Sequence, residues 1–147
     1  MGTSIPTTEY TMPGIRLTVS GTEQAALTER LATELTRLTC AVLNKRPSKT
    51  AVTVQYLPHS QWFIDNRSLS SHGKNAFRLE LTITEHTNTR DEKANYHRQA
   101  YELLASLIGN LHPHSNIHIV DCAATGYGYS GTTQEWRYQH AADAVLA

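Results

Sequence analysis

The chain carries no excess charge of either sign: 13 Lys and Arg balance 13 Asp and Glu. A basic stripe suited to phosphate backbones is missing, which argues against nucleic acid as a partner. Cysteine is scarce. Cys40 and Cys122 stand far apart, form no metal-type spacing and build no disulfide framework, which fits a reducing compartment. Long apolar runs are absent, so no membrane span is expected. Met1 to Thr11 lacks the charged-then-apolar layout of a secretory signal, and a cytoplasmic protein is the expectation. There is no phosphate loop, nucleotide fingerprint or nucleophile triad. Eight histidines do not supply a metal pattern. His112, His114 and His118 lack a Cys or carboxylate partner at zinc-like spacing, so neither metal nor cofactor is expected.

What is present is a regular pattern, in a chain long enough for one hydrophobic core. Ile15, Leu17 and Val19 alternate with polar residues, as in a strand with one buried face. Thr22 is placed to cap a helix whose stripe runs Leu27, Leu31, Leu35, Leu38 and Val42. Asn44 and Pro47 stop it, and Val52, Val54 and Tyr56 mark a second strand. The same order then returns. Phe77, Leu79, Leu81 and Ile83 alternate. Thr89 and Glu92 form a capping box. Tyr96, Ala100, Leu103, Leu107 and Leu111 make a helical stripe, and Ile117 and Ile119 mark a fourth strand. Each second strand is followed by an aromatic turn, at Trp62 and at Tyr127.

The two halves register. The step from Val52 to Ile117, and from Trp62 to Tyr127, is 65 positions; from Ile15 to Leu79 it is 64. An internal duplication of a β-α-β unit accounts for this. The predicted fold is α+β: tandem β-α-β units in a four-stranded mixed sheet, with two helices on one face. Residues 1–12 read as an extension, 13–138 as the domain and 139–147 as a tail. The opposite sheet face carries Arg16, Thr53, Gln55, Arg78, Glu80, Thr82 and His118. With open edge strands, that face favours an oligomer.

Two β-α-β units, an aromatic turn after each, and Met12-Pro13 directly before the first strand resemble the tautomerase superfamily. The length matches its two-unit members, which are similar to fused 4-oxalocrotonate tautomerase, 5-carboxymethyl-2-hydroxymuconate isomerase and macrophage migration inhibitory factor. The resemblance covers roughly Met12 to Tyr138. It implies a homotrimer, no cofactor, and a small carbonyl or enol substrate. It also implies that an N-terminal proline acts as general base. A free amine in an apolar pocket is harder to protonate, so it can carry a proton between carbon and oxygen of a dienol.

Pro13 is the residue that matches. Twelve residues precede it, however, and while they are attached its nitrogen is an amide without a basic lone pair. A start at Met12, trimming of the extension, or a member that has lost the amine are the three explanations. Lys45 aligns with a pocket lysine and would hold a carboxylate or enolate oxygen. The alternative is a solvated lysine favoured by the helix dipole. Trp62 and Tyr127 would form apolar pocket walls, or else ordinary packing. Arg78, Arg90 and His118 are candidate substrate contacts, with a polar subunit contact as the plainer reading for Arg78 and His118. The activity expected is proton transfer on a small 2-oxo acid or enol. A non-catalytic binding trimer is the alternative, and a ferredoxin-like regulatory domain ranks behind both.

Overall fold

The computed structural model describes residues 13–141. The extension and the last six residues assigned to the tail lie outside the described residues. Six principal elements form two layers. Strand β1 (Gly14–Ser20) leads to helix α1 (Ala25–Leu43) and strand β2 (Ala51–Leu57); strand β5 (Phe77–Thr84) leads to helix α3 (Arg90–Ile108) and strand β6 (Asn116–Cys122). Between and after these units stand two small hairpins, β3 (Phe63–Ile64) with β4 (Arg67–Ser68), and β7 (Gly128–Tyr129) with β8 (Thr132–Thr133). Each hairpin runs into a short helix, α2 (Leu69–His72) and α4 (Gln134–Gln139).

The large sheet has the order β2-β1-β5-β6. β1 runs parallel to β2, and β5 parallel to β6, while β1 and β5 are antiparallel. Each half is thus a right-sized crossover unit, and the halves meet through their first strands. The antiparallel register pairs Gly14 with Thr82, Arg16 with Glu80 and Thr18 with Arg78. Positions 14, 16 and 18 are the repeat equivalents of 78, 80 and 82, so the sheet has an approximate internal twofold axis through the Arg16–Glu80 pair. The hairpin of each half therefore lands beside the start of the other half's first strand.

Alternation puts Ile15, Leu17 and Val19 of β1 and Phe77, Leu79, Leu81 and Ile83 of β5 against the helices, all at most 3% exposed. Leu31, Leu35 and Leu38 of α1 and Tyr96, Ala100 and Leu104 of α3 complete the cluster. Tyr96 and Thr39 share a buried hydrogen bond of 2.9 Å, which joins the two helices where both have turned polar.

Two local expectations change. Thr22 does not cap α1: the helix starts at Ala25, after an extended Gln24 whose side chain makes no cap bond. Gly21 sits at φ 111, and a Cβ there would press on the His59 ring, so the chain turns at Gly21 and enters the helix late. On α3 the buried position is Leu104, with Leu103 and Leu107 at its margin, and Leu111 lies beyond the helix end. The capping box is present: Thr89 Oγ1 accepts from Glu92 N–H at 3.1 Å, and Glu92 Oε1 accepts from Thr89 N–H at 2.8 Å. α1 ends at Asn44 in the left-handed region, φ 56.

Candidate functional site

Pro13 is buried at the head of β1, its carbonyl accepting from Ala51 N–H at 3.2 Å. Directly after it, on the sheet face away from the helices, opens a cavity of about 360 Å³. Arg16 and Thr53 form part of its floor with Glu80 and Thr82 across the β1–β5 seam, and Tyr127 forms one wall. Tyr127 arrives from the second half because its turn follows β6. That turn is tight: a Cβ at Gly128 would overlap the Thr132 carbonyl, so only glycine fits. Tyr127 O accepts the Gln134 N–H at 2.7 Å, which fixes the turn on α4. Arg137 lies over the Tyr129 ring, its Cζ 3.9 Å from the centroid, and holds the hairpin tip.

Burial, with smaller contributions from Cys122 and Tyr129, pushes the Tyr127 phenol up from its ordinary value. It therefore stays a hydrogen-bond donor at neutral pH. Glu80 accepts from Arg78 at 2.9 Å and lies 3.7 Å from Arg16. One carboxylate between two guanidiniums leaves positive charge over, so an anion is favoured on this face.

Lys45 sits at the same end of the sheet, on the helix side. It is only 5% exposed, and its Nζ donates to Thr87 Oγ1 at 3.1 Å. Burial lowers its pKa to about 8, against the pull of Glu92 and Asp121. Those two carboxylates are engaged elsewhere, Glu92 in the capping box and Asp121 with Lys93 at 2.6 Å. Asn88 Nδ2 donates to Leu43 O at 2.9 Å and ties the loop before α3 to the end of α1. The solvated reading of Lys45 does not fit this burial. Lys45 does not line the Arg16 cavity itself.

The other residues singled out in the sequence fall in three places. Arg90 is the exposed first residue of α3, at the Pro13 end. Trp62 and Arg78 lie together at the opposite end, around a second cavity. His118 is mid-strand on the exposed face, bonded to Asn116 Oδ1 at 3.0 Å, and lines neither cavity. Arg16 and Glu80, which do line the Pro13-end cavity, were readable only as polar-face residues. Their signal was that they occupy equivalent positions and carry opposite charge. Among the described residues no group of three or more His, Cys, Asp or Glu is placed to hold a metal, and no helix is long and apolar enough to cross a membrane.

The sequence matches no family model and no curated protein. Solved structures do match it. Pt0534, in its form inactivated by 2-oxo-3-pentynoate, gives a TM-score of 0.74 over 84% of this chain and 98% of its own, at 9% identity. The F6 fused 4-OT asymmetric trimer gives 0.73 over 84% and 97%, at 15% identity. A macrophage migration inhibitory factor-like protein from Entamoeba histolytica gives 0.64 over 83% and 98%, also at 15%. The fold is the tautomerase fold. The two-unit chain of the fused 4-OT proteins is what this one resembles in extent as well as in topology.

Proposed function

We propose that this chain is a tautomerase-type isomerase that moves a proton on a small 2-oxo acid or enol. Pro13 is the base in a chain processed to begin at that residue. The observation that carries the reading is the cavity whose lining begins at Gly14, the residue after Pro13, with a guanidinium at Arg16 and a protonated phenol at Tyr127. A 2-oxo acid presents a carboxylate and an adjacent carbonyl. Arg16 supplies fork-shaped donors for the carboxylate. Tyr127 donates to the oxygen on which enolate charge develops. A freed Pro13 amine, buried at the strand head, takes the proton from the neighbouring carbon and returns it at the far end of the dienol. No cofactor enters this chemistry. The inactivation of Pt0534 by 2-oxo-3-pentynoate supports the substrate class.

A homotrimer accompanies this reading. Fused 4-OT proteins of the same fold form trimers. On the present chain the edge strand β6 leaves Val120 49% accessible, an apolar contact that a second copy would cover. The free thiols of Cys40 and Cys122 suit the reducing cytoplasm.

The test compares two forms of the protein: one starting at Pro13 and one retaining residues 1–12. Phenylpyruvate ketonisation by the first and not the second is the expected result. If neither form turns over enol acids, the isomerase reading falls and a non-catalytic binding trimer takes its place.

A further inference from the structure

The internal twofold axis gives every feature of the Pro13 end a counterpart at the other end of the sheet, and the counterpart cavity exists. It encloses about 430 Å³ and is lined by Thr18, Trp62, Phe63, Arg78, His114 and Asn116 among others. That volume lies within the range of sites that hold a small organic molecule. Thr18 stands where Thr82 stands in the first cavity, Asn116 where Ala51 does, and Trp62 where Tyr127 does. Two positions have changed their chemistry. The equivalent of Pro13 is Phe77, fully buried against Tyr101 at 5.8 Å between ring centroids. The equivalent of Gly14 is Arg78. This end has lost any route to an amine base and has gained a cation.

The lining then specifies what fits. It contains no Asp or Glu, and its one permanent charge is Arg78. Glu80 accepts from Arg78 at 2.9 Å, but it also lies 3.7 Å from Arg16, and it lines the other cavity. Arg78 is about half exposed and lines this cavity, and the Glu80 contact uses only part of its guanidinium. Asn116 is fixed by bonds to His114 O at 3.1 Å and His118 Nε2 at 3.0 Å. Opposite this polar side stands an apolar one. Phe63 is 60% exposed, an unusual exposure for a large aromatic residue, and it adjoins Trp62 and Ile64.

We propose that the Arg78–Trp62 cavity is a second, non-catalytic binding site for a small carboxylate that bears an aromatic or apolar group. The carboxylate pairs with the Arg78 guanidinium and the ring packs on Trp62 and Phe63. Nothing in this depends on a free amine at Pro13, so it stands or falls separately from the isomerase reading.

Benzoate is the probe, because it carries the two required groups and cannot tautomerise; benzamide is its neutral control. The chain has two tryptophans. Trp136→Phe keeps a ring against His140 and leaves Trp62 as the sole reporter. In the full chain carrying that substitution, benzoate should change Trp62 fluorescence saturably and benzamide should not. Arg78→Gln should weaken the benzoate response at least tenfold with an unchanged melting curve, and Asn116→Leu should weaken it as well. Arg16→Gln should leave it unaltered. No saturable response, an equal response to benzamide, or loss on Arg16→Gln with retention on Arg78→Gln would each overturn the proposal.

Discussion

Gln134 occupies the position in the second half that Leu69 occupies in the first. Each is the first residue of the short helix after its hairpin, and each donates its backbone N–H to the hairpin aromatic, Leu69 to Trp62 O at 2.8 Å and Gln134 to Tyr127 O at 2.7 Å. Both side chains are fully buried. Leu69 fills its site with methyl groups. Gln134 brings an amide whose nitrogen and oxygen find no protein partner among the described residues. An unpaired buried polar group costs roughly 1–3 kcal/mol. Gln134→Leu should therefore raise unfolding free energy in urea by about that amount. A loss of stability would mean that the amide is partnered in solution.

Lys45 gives a pH signature. Its folded pKa, about 8, lies below the ordinary 10.5, so the folded state holds the proton less tightly than the unfolded chain. The penalty for charging it is complete below pH 8 and fades as pH rises toward 10.5. That gap amounts to roughly 3 kcal/mol. Lys45→Met should stabilise the protein at pH 7, with the advantage over the parent shrinking between pH 8 and 10.5. Parallel denaturant titrations at pH 7 and 10 measure this. An advantage that does not change with pH would refute it.

The Thr39–Tyr96 bond predicts a non-additive pair. Tyr96→Phe should cost about 1–2 kcal/mol, because it strands the Thr39 hydroxyl in the core. With Thr39→Val added, much of the loss should return, since both polar partners are then gone. A double-mutant cycle by thermal or chemical denaturation reads the coupling directly. Burial also pushes the Tyr96 phenol up to about 12, so this bond survives to high pH.

At the Pro13 end the expected assignments separate by kinetics. In a chain beginning at Pro13, Arg16→Gln should raise KM for a 2-oxo acid by roughly tenfold or more, as lost carboxylate recognition demands. Tyr127→Phe should lower kcat instead, because its donor matters most when the oxygen is charged. If both substitutions are silent, the substrate does not sit in this cavity.

Much of this architecture was legible before any coordinates. Strand alternation at Ile15–Val19 and Phe77–Ile83, the Thr89–Glu92 box and the 64- to 65-residue offset gave the two units, because local patterns encode local structure. Pairing direction between the units is not a local property. Once β1 and β5 lie antiparallel, the Trp62 turn is carried away from Pro13 and the Tyr127 turn toward it. Residues grouped by sequence resemblance thus divide between two ends. Thr22 misled for a related reason: a good cap residue sits there, but the bend at Gly21 delays the helix to Ala25.

The cross-strand pair at the centre of the sheet has an implication for ancestry. Arg16 and Glu80 are equivalent positions that face each other across the axis. Were the two units separate identical chains, whatever residue stood there would face its own copy, and any charge would meet the same charge. Covalent linkage lifts that constraint, since each copy can mutate alone. An opposed Arg and Glu is an arrangement closed to two identical chains and open to halves that have diverged, and it also penalises pairing of two first halves, whose arginines would then confront one another.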